Sequence, residues 1–224
     1  MCGRVNVSDN EGVRLLLESL GMDTWPARDP RYNIAPTQQL DVICLQTDQP
    51  LPVAMRWGIS LKVPGKSGNM VTRSVQNCRS DKVWVSPMWK PLITRQRALV
   101  PVNGFYEWRR KNKKIEAAFH ISPAQKSAMF LAAVYRSGRD ASDMAEVSVV
   151  TTDANQPMAA VHDRMPVILD SPNAAMSWLQ DGDKDSLDQL MQPVDDAALQ
   201  FVKVGSYVNK SSNEGPECIE PLAA

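Results

Sequence analysis

The sequence predicts one α+β domain built on a mainly antiparallel β-sheet. Three observations carry that reading: seven short runs are rich in β-branched and aromatic residues, five stretches space apolar residues helically beside start signals, and neither a repeat nor a linker divides the 224 residues. Strands mixed with short helices in no regular alternation point to α+β rather than to a parallel doubly wound sheet.

The first helix is expected over 13–20, where Val13 and the leucines recur at helical spacing, Ser8 or Asp9 can serve as N-cap, and Gly21 follows the end. Residues 29–37 hold Pro30 and Pro36 around Asn33; two fixed φ angles and two missing amide donors make an ordered loop or irregular strand there. Strands are expected at 40–45, 53–57, 98–102, 104–109, 117–121, 128–134 and 147–151. Further helices are expected at 86–92, 155–160, 174–179 and 186–191, each close to Pro, Asp or Ser start signals. The polar stretch 62–76, with Pro64, Gly65, Gly68 and two serines, reads as a surface loop between strands.

Composition narrows the function classes. With 43% hydrophobic and 22% charged residues and no apolar run near the roughly 18 residues of a membrane span, the chain is expected to be globular, without a membrane partner. The start, Met1-Cys2-Gly3-Arg4-Val5, lacks the apolar core of a secretory signal, so we expect the cytoplasm. Cysteines at 2, 44, 78 and 218 form no C-x-x-C pair, which argues against both a disulfide framework and a zinc site. We expect no metal or organic cofactor, and a monomer. Formal charge is zero, yet the segment 62–114 holds thirteen Lys or Arg against Asp81 and Glu107, a local excess of +11 that the rest of the chain balances. Such a segment is either a solvated face or a footprint for phosphates.

Three residues invite chemistry. A small residue after the initiator Met commonly exposes it as the new N-terminus, and Cys2 would then offer an α-amine and a thiol on adjacent carbons. An α-amine titrates near 7.7 to 8.0, so a useful neutral fraction can attack an aldehyde, and the thiol can close the resulting imine to a thiazolidine. Glu107 stands among Phe105, Tyr106 and Trp108. Either it points outward among basic residues, or aromatic desolvation lifts its pKa towards general acid–base work. His162, within Val161-His162-Asp163-Arg164-Met165-Pro166, falls on a loop or helix end, where a functional and a structural histidine are equally expected. His120, alternating with Phe119 and Ile121, reads as structural, and the large aromatics Trp84 and Trp89 read as core.

These segments together resemble one family. Cys2-Gly3-Arg4, Arg31-Tyr32-Asn33-Ile34-Ala35-Pro36, Trp57-Gly58, Asn77-Cys78-Arg79, Gly104-Phe105-Tyr106-Glu107-Trp108 and His162-Asp163-Arg164-Met165-Pro166 are similar, in order, to the SOS response-associated peptidase family of abasic-site processing proteins. The resemblance implies a curved, barrel-like β core and a basic groove for single-stranded DNA containing abasic sites. It also implies a covalent thiazolidine link from Cys2 to the abasic deoxyribose. Carried over by position, Cys2 supplies amine and thiol, Asn77 holds the reacting centre, Glu107 shuttles protons and His162 assists sugar-ring opening. Arg4, Asn33, Pro36, Trp57, Arg79 and Arg164 fall at positions that line the site or contact DNA. Two departures stand out: residues 61–76 carry no aromatic for base stacking, and Asp81 replaces the commoner Glu. Two rivals remain at this stage. One is a peptidase with Cys2 as nucleophile and His162 as base; the other is a non-catalytic DNA-binding module that stacks bases on Trp57, Trp84 or Trp89.

Overall fold

Turn chemistry and strand pairing organise the first half of the chain, which a computed structural model describes, overall, at residues 2–22, 25, 28–65, 67–138, 143–180 and 182–222. Strand β1 (Val5–Val7) leads into helix α1 (Asn10–Glu18), whose N-cap Asp9 accepts a hydrogen bond from Gly12 N at 3.0 Å. Then come β2 (Arg31–Ile34), β3 (Gln39–Gln46) and β4 (Gln49–Trp57). Thr47 and Asp48, both with positive φ, join β3 to β4 in a two-residue turn whose twist matches that of the strands. A second hairpin, β5 (Ile59–Pro64) with β6 (Met70–Val75), precedes β7 (Asn77–Arg79), α2 (Ser80–Val83) and α3 (Trp89–Arg95).

The second half supplies most of the sheet. Strands β8 (Arg97–Val102), β9 (Gly104–Lys111), β10 (Lys114–Pro123), β11 (Met129–Arg136) and β12 (Glu146–Asp153) follow one another. Asn112 and Lys113 form another positive-φ turn between β9 and β10. The chain closes with α4 (Gln156–Ala159), β13 (Arg164–Pro166), β14 (Ile168–Leu169), α5 (Pro172–Leu179), α6 (Lys184–Leu190) and β15 (Leu199–Val204). Asn155, Ser171 and Asp183 cap α4, α5 and α6 with side-chain oxygens.

The sheet containing β12, β4, β3, β8 and β11 closes on itself, because β12 pairs with both β4 and β11. Its pairings are antiparallel except where β12 meets β4 and β7. Strand alternation sorts side chains into two layers. Leu40, Val42, Ala98, Val100, Leu131, Ala133, Val147 and Val149 belong to an inner cluster. Ile43, Leu99, Phe130, Ala132, Val134 and Val150 instead meet Val13, Leu17, Ile93 and Trp178 from the helices. Burial on both faces explains the unbroken apolar runs of β8 and β11. A five-stranded sheet, β15-β10-β9-β1-β2, adds Val5, Ile34, Phe105 and Ile121 to the inner cluster. Its other side carries Tyr106, Ala118 and Val204, packed with Val208 and Cys218 of the C-terminal segment.

The seven expected strands all form, most of them longer by a few residues. Residues 62–76 are corrected: they belong to the β5–β6 hairpin, paired from Ile59↔Val75 to Pro64↔Met70. Strand β5 alternates Ile59, Leu61 and Val63 with Ser60 and Lys62, but the hairpin is largely exposed beyond Ile59, and Pro64, Gly65, Ser67 and Gly68 beside it give the stretch the look of a loop. The helix expected at 86–92 begins at Trp89, with Ser86 in the turn before it. No helix among the described residues is long and apolar enough to cross a membrane.

Candidate functional site

Cys2 lies fully buried in the inner cluster at the entry to β1, where the two large sheets meet. Two strands hold its neighbourhood. Strand β1 pairs with β2 and β9, and Tyr106 N donates to Arg4 O at 2.9 Å. From the other side β7, paired with β12, presents Asn77, whose Nδ2 donates to Cys2 O at 2.8 Å. The Asn77 side chain is buried, and its Oδ1 has no hydrogen-bond partner among the described residues. A buried acceptor left unpaired is costly unless a further donor completes it.

Glu107 is the third group. It is 3% exposed, on β9, so the outward-facing alternative is excluded. Burial, and then the nearby Glu107 carboxylate, push the Cys2 thiol well above the ordinary range of a cysteine. The thiol is therefore protonated at neutral pH. Burial likewise raises Cys78, beside Asn77.

His162 and Arg164 flank the loop that enters β13. His162 Nδ1 lies 3.0 Å from Arg164 N and 2.8 Å from Asp163 Oδ1. As an acceptor, Nδ1 takes the hydrogen bond that the Arg164 amide donates. Arg164 is 5% exposed; its guanidinium donates to Thr151 O at 2.6 Å and pairs with Asp153 at 2.5 Å. Arg79 is exposed and grips Asp81 with two nitrogens, both at 2.9 Å.

The remaining expected residues fall on the scaffold. Arg4 donates to Asn33 Oδ1 at 2.6 Å and Val208 O at 2.9 Å, and stacks over Trp108 at 5.4 Å. Asn33 is buried and donates to the carbonyls of Val208, Lys210 and Asn213. Pro36 precedes Thr37, whose φ of 76° places a β-branched residue in the left-handed region, held by Thr37 N donating to Trp57 O at 2.7 Å. Trp57 is wholly buried behind Cys2, with Nε1 bonded to Gln76 O at 3.0 Å, so its ring offers no face for a base to stack on. The next residue, Gly58, needs its φ of 111° to turn the chain so that its amide reaches Val147 O. Trp84 and Trp89 pack with the helical layer, as expected of core aromatics.

Asn6 and Asp153 join the site region without any signal in the sequence, while His120 takes the structural place expected of it. Asn6 and His120 meet across β1 and β10 at 2.9 Å, and only a glycine at 104 leaves room, because a Cβ there would strike His120 Nε2 and Ile121 O. Asp153 and Asp81 neutralise the two arginines nearest the site. Arg97, counted within the basic segment, is buried and donates to the carbonyls of Ile93, Thr94, Trp178 and Gln180, so it serves the fold.

Comparison with known proteins gives a family and a shared fold. A family model described as "SOS response associated peptidase (SRAP)" matches residues 1–211. Among curated relatives, Abasic site processing protein YoqW of Bacillus subtilis is 28% identical over 98% of this chain and 99% of its own. Abasic site processing protein YedK of Escherichia coli is 29% identical over 99% and 100%. Abasic site processing protein HMCES of Xenopus tropicalis is 28% identical over 99% of this chain and 78% of its own. A solved protein from Bacteroides thetaiotaomicron superposes with a TM-score of 0.76 at 18% identity, covering 99% of this chain and 100% of that one, and so shares the fold.

Proposed function

The chain belongs to the SOS response associated peptidase family, and from that membership and the surroundings of Cys2 we propose that it captures abasic sites in single-stranded DNA as a covalent thiazolidine. The relatives' shared description as abasic site processing proteins supports the lesion. The observation that carries the chemistry is the convergence of Asn77 and Glu107 on a buried Cys2.

In this reading Met1 is removed and the Cys2 α-amine attacks C1′ of the ring-opened abasic sugar. A carbon–nitrogen bond forms, one water leaves, and the imine results. The thiol sulfur then adds to the same carbon while its proton passes to the nitrogen, so aldehyde and aminothiol yield a thiazolidine plus one water. Asn77 holds the Cys2 carbonyl, and in this reading its Oδ1, which has no partner among the described residues, accepts from the liberated amine. Glu107 relays protons between amine, leaving water and thiol, and His162 assists opening of the sugar.

The amine leads because burial beside Glu107 keeps the thiol protonated. A cysteine peptidase would need the Cys2 thiolate, whose formation the same burial opposes, or a base such as Glu107 to take the thiol proton during attack. A buried nucleophile also favours a single strand, since a sugar stacked in duplex must first be extruded.

Intact-mass analysis after incubation with a uracil-excised single-stranded oligonucleotide tests this directly. The expected product is the Met-free protein plus the oligonucleotide minus one water, stable to denaturant. Cys2→Ala, which keeps an α-amine, should give an adduct only when borohydride reduces its imine. A Met-free wild-type protein that yields no stable adduct overturns the proposal.

A further inference from the structure

Asn6 reaches across a whole strand. Its backbone stands opposite Gly104 in the register of β1 with β9, yet its Oδ1 lies 2.9 Å from Nε2 of His120 on β10, the strand beyond. An amide oxygen accepts, so the ring carries its proton at Nε2 and donates. A Cβ at 104 would stand 2.4 Å from that nitrogen and 3.0 Å from Asn6 Oδ1, so the missing side chain is the passage through which the two meet. Asn6 is buried, and its Nδ2 donates to Ser8 Oγ at 2.9 Å, so both ends of the amide are held.

The bond stands where backbone pairing is thin. Strand β1 has three residues, its register with β2 shifts between Val5 and Val7, and it pairs with β9 at Val5↔Phe105 and Asn6↔Gly104. Few ladder bonds resist a small slide of β1 along its axis. Alternation puts Asn6 on the outer face with His120 and Tyr106, and Val5 in the inner cluster with Cys2. Glu107 stands three residues beyond Gly104 on β9 and opposite Phe119, the neighbour of His120. Asn6 therefore ties the strand that carries Cys2 to the two strands that fix Glu107.

We propose that Asn6 and His120 are positioning residues for Cys2: their hydrogen bond over Gly104 holds β1 in place along its axis and so sets where the liberated amine stands relative to Glu107. The inference rests on the thiazolidine reading above. Both side chains sit behind the sheet from Cys2 and act through β1. A misplacement of about 1 Å can slow a reaction about 100-fold, and because the backbone pairs with Phe105 and Gly104 persist, we expect a loss of about 10-fold.

The experiment is single-turnover cross-linking of the full chain to a uracil-excised single-stranded oligonucleotide, with protein saturating and adducts quantified on denaturing gels. Affinity is measured apart, by anisotropy with an oligonucleotide of the same sequence that has no abasic site, and melting curves set a temperature at which every variant is folded. Asn6→Ala and His120→Leu should each slow adduct formation by about 10-fold with affinity unchanged, a split that a purely structural role does not produce. His120→Gln keeps a donor and should stay near the wild-type rate. The double variant Asn6→Ala/His120→Leu should be no slower than either single, because all three lack the same bond. Should Asn6→Ala not fold, Asn6→Ser, too short to reach His120, takes its place with the same expected slowing. Wild-type rates in the single variants, a loss confined to affinity, a slow His120→Gln, or losses that multiply in the double variant each overturn the proposal. If wild type itself forms no adduct, the thiazolidine reading falls and this inference with it. Variants that match a cross-linking wild type remove the positioning role alone.

Discussion

His120 shows at the scale of one residue how burial sets a charge state. Its ring is bonded to Asn6, packed 5.2 Å from Tyr106, and pushed by desolvation from an ordinary 6.5 down to about 4. Between those values the unfolded chain takes up a proton that the folded chain refuses. The stability contributed by the neutral ring is complete above pH 6.5 and is lost as pH falls towards 4, by up to about 3 kcal/mol. Urea midpoints at neutral and at mildly acid pH should therefore differ more in wild type than in His120→Gln; equal differences would show that other groups govern the acid limb. Single residues were also where the sequence spoke most unevenly. Its aromatic neighbours drew attention to Glu107, but whether it faced in or out waited on the pairing Phe119↔Glu107 and the layer behind it. Trp57 looked available for stacking until burial placed it in the core.

At the scale of elements, the approach to Cys2 depends on how β1 is tied to α1. Asn103 makes that tie: its Oδ1 accepts from Ser8 N at 2.8 Å and Asp9 N at 2.9 Å, and its Nδ2 donates to Asp9 O and Ser127 O. The residue is 6% exposed, so Asn103→Ala strands the amides of Ser8 and Asp9 and removes a donor from Ser127 O, while Asp9 O keeps its bond from Val13 N. We expect a loss of about 2 to 4 kcal/mol in chemical denaturation, against about 1 kcal/mol for the N-cap change Asp9→Ala. Equal losses would mean that water replaces Asn103 without penalty. Asp9 was one of two candidate caps in the sequence, but its bond to Asn103 spans 94 positions and local pattern carries no trace of it.

Across the whole molecule, the C-terminal segment locks the first strands. Val208, Lys210 and Asn213 supply carbonyls to Arg4 and Asn33, Glu214 accepts from Tyr32 N, and Asn209 accepts from Trp108 Nε1. Val208 and Cys218 bury the outer face of Tyr106. A chain ending after Gly205 should lose roughly 3 kcal/mol or more, since buried polar groups each forfeit about 1 to 3 kcal/mol when orphaned. Its thermal midpoint should drop together with the yield of DNA adduct; a truncated chain that melts like the full one would show the lock to be dispensable.

Local physics was enough for the sequence to determine the α+β class and the seven principal strands, and to narrow the first helix cap to Ser8 or Asp9. Each depends on a residue's own chemistry or on neighbours within a few positions, which period and propensity encode. Only the tertiary structure decided that β12 meets both β4 and β11 to close the ring, and that Ile59–Pro64 pairs with Met70–Val75 as a hairpin. It alone decided that Arg4 and Asn33 brace the fold and that Asp81 sits between Arg79 and Arg164. Those outcomes depend on which distant groups the packed core brings within hydrogen-bonding or Coulombic range, and a one-dimensional pattern contains no distances.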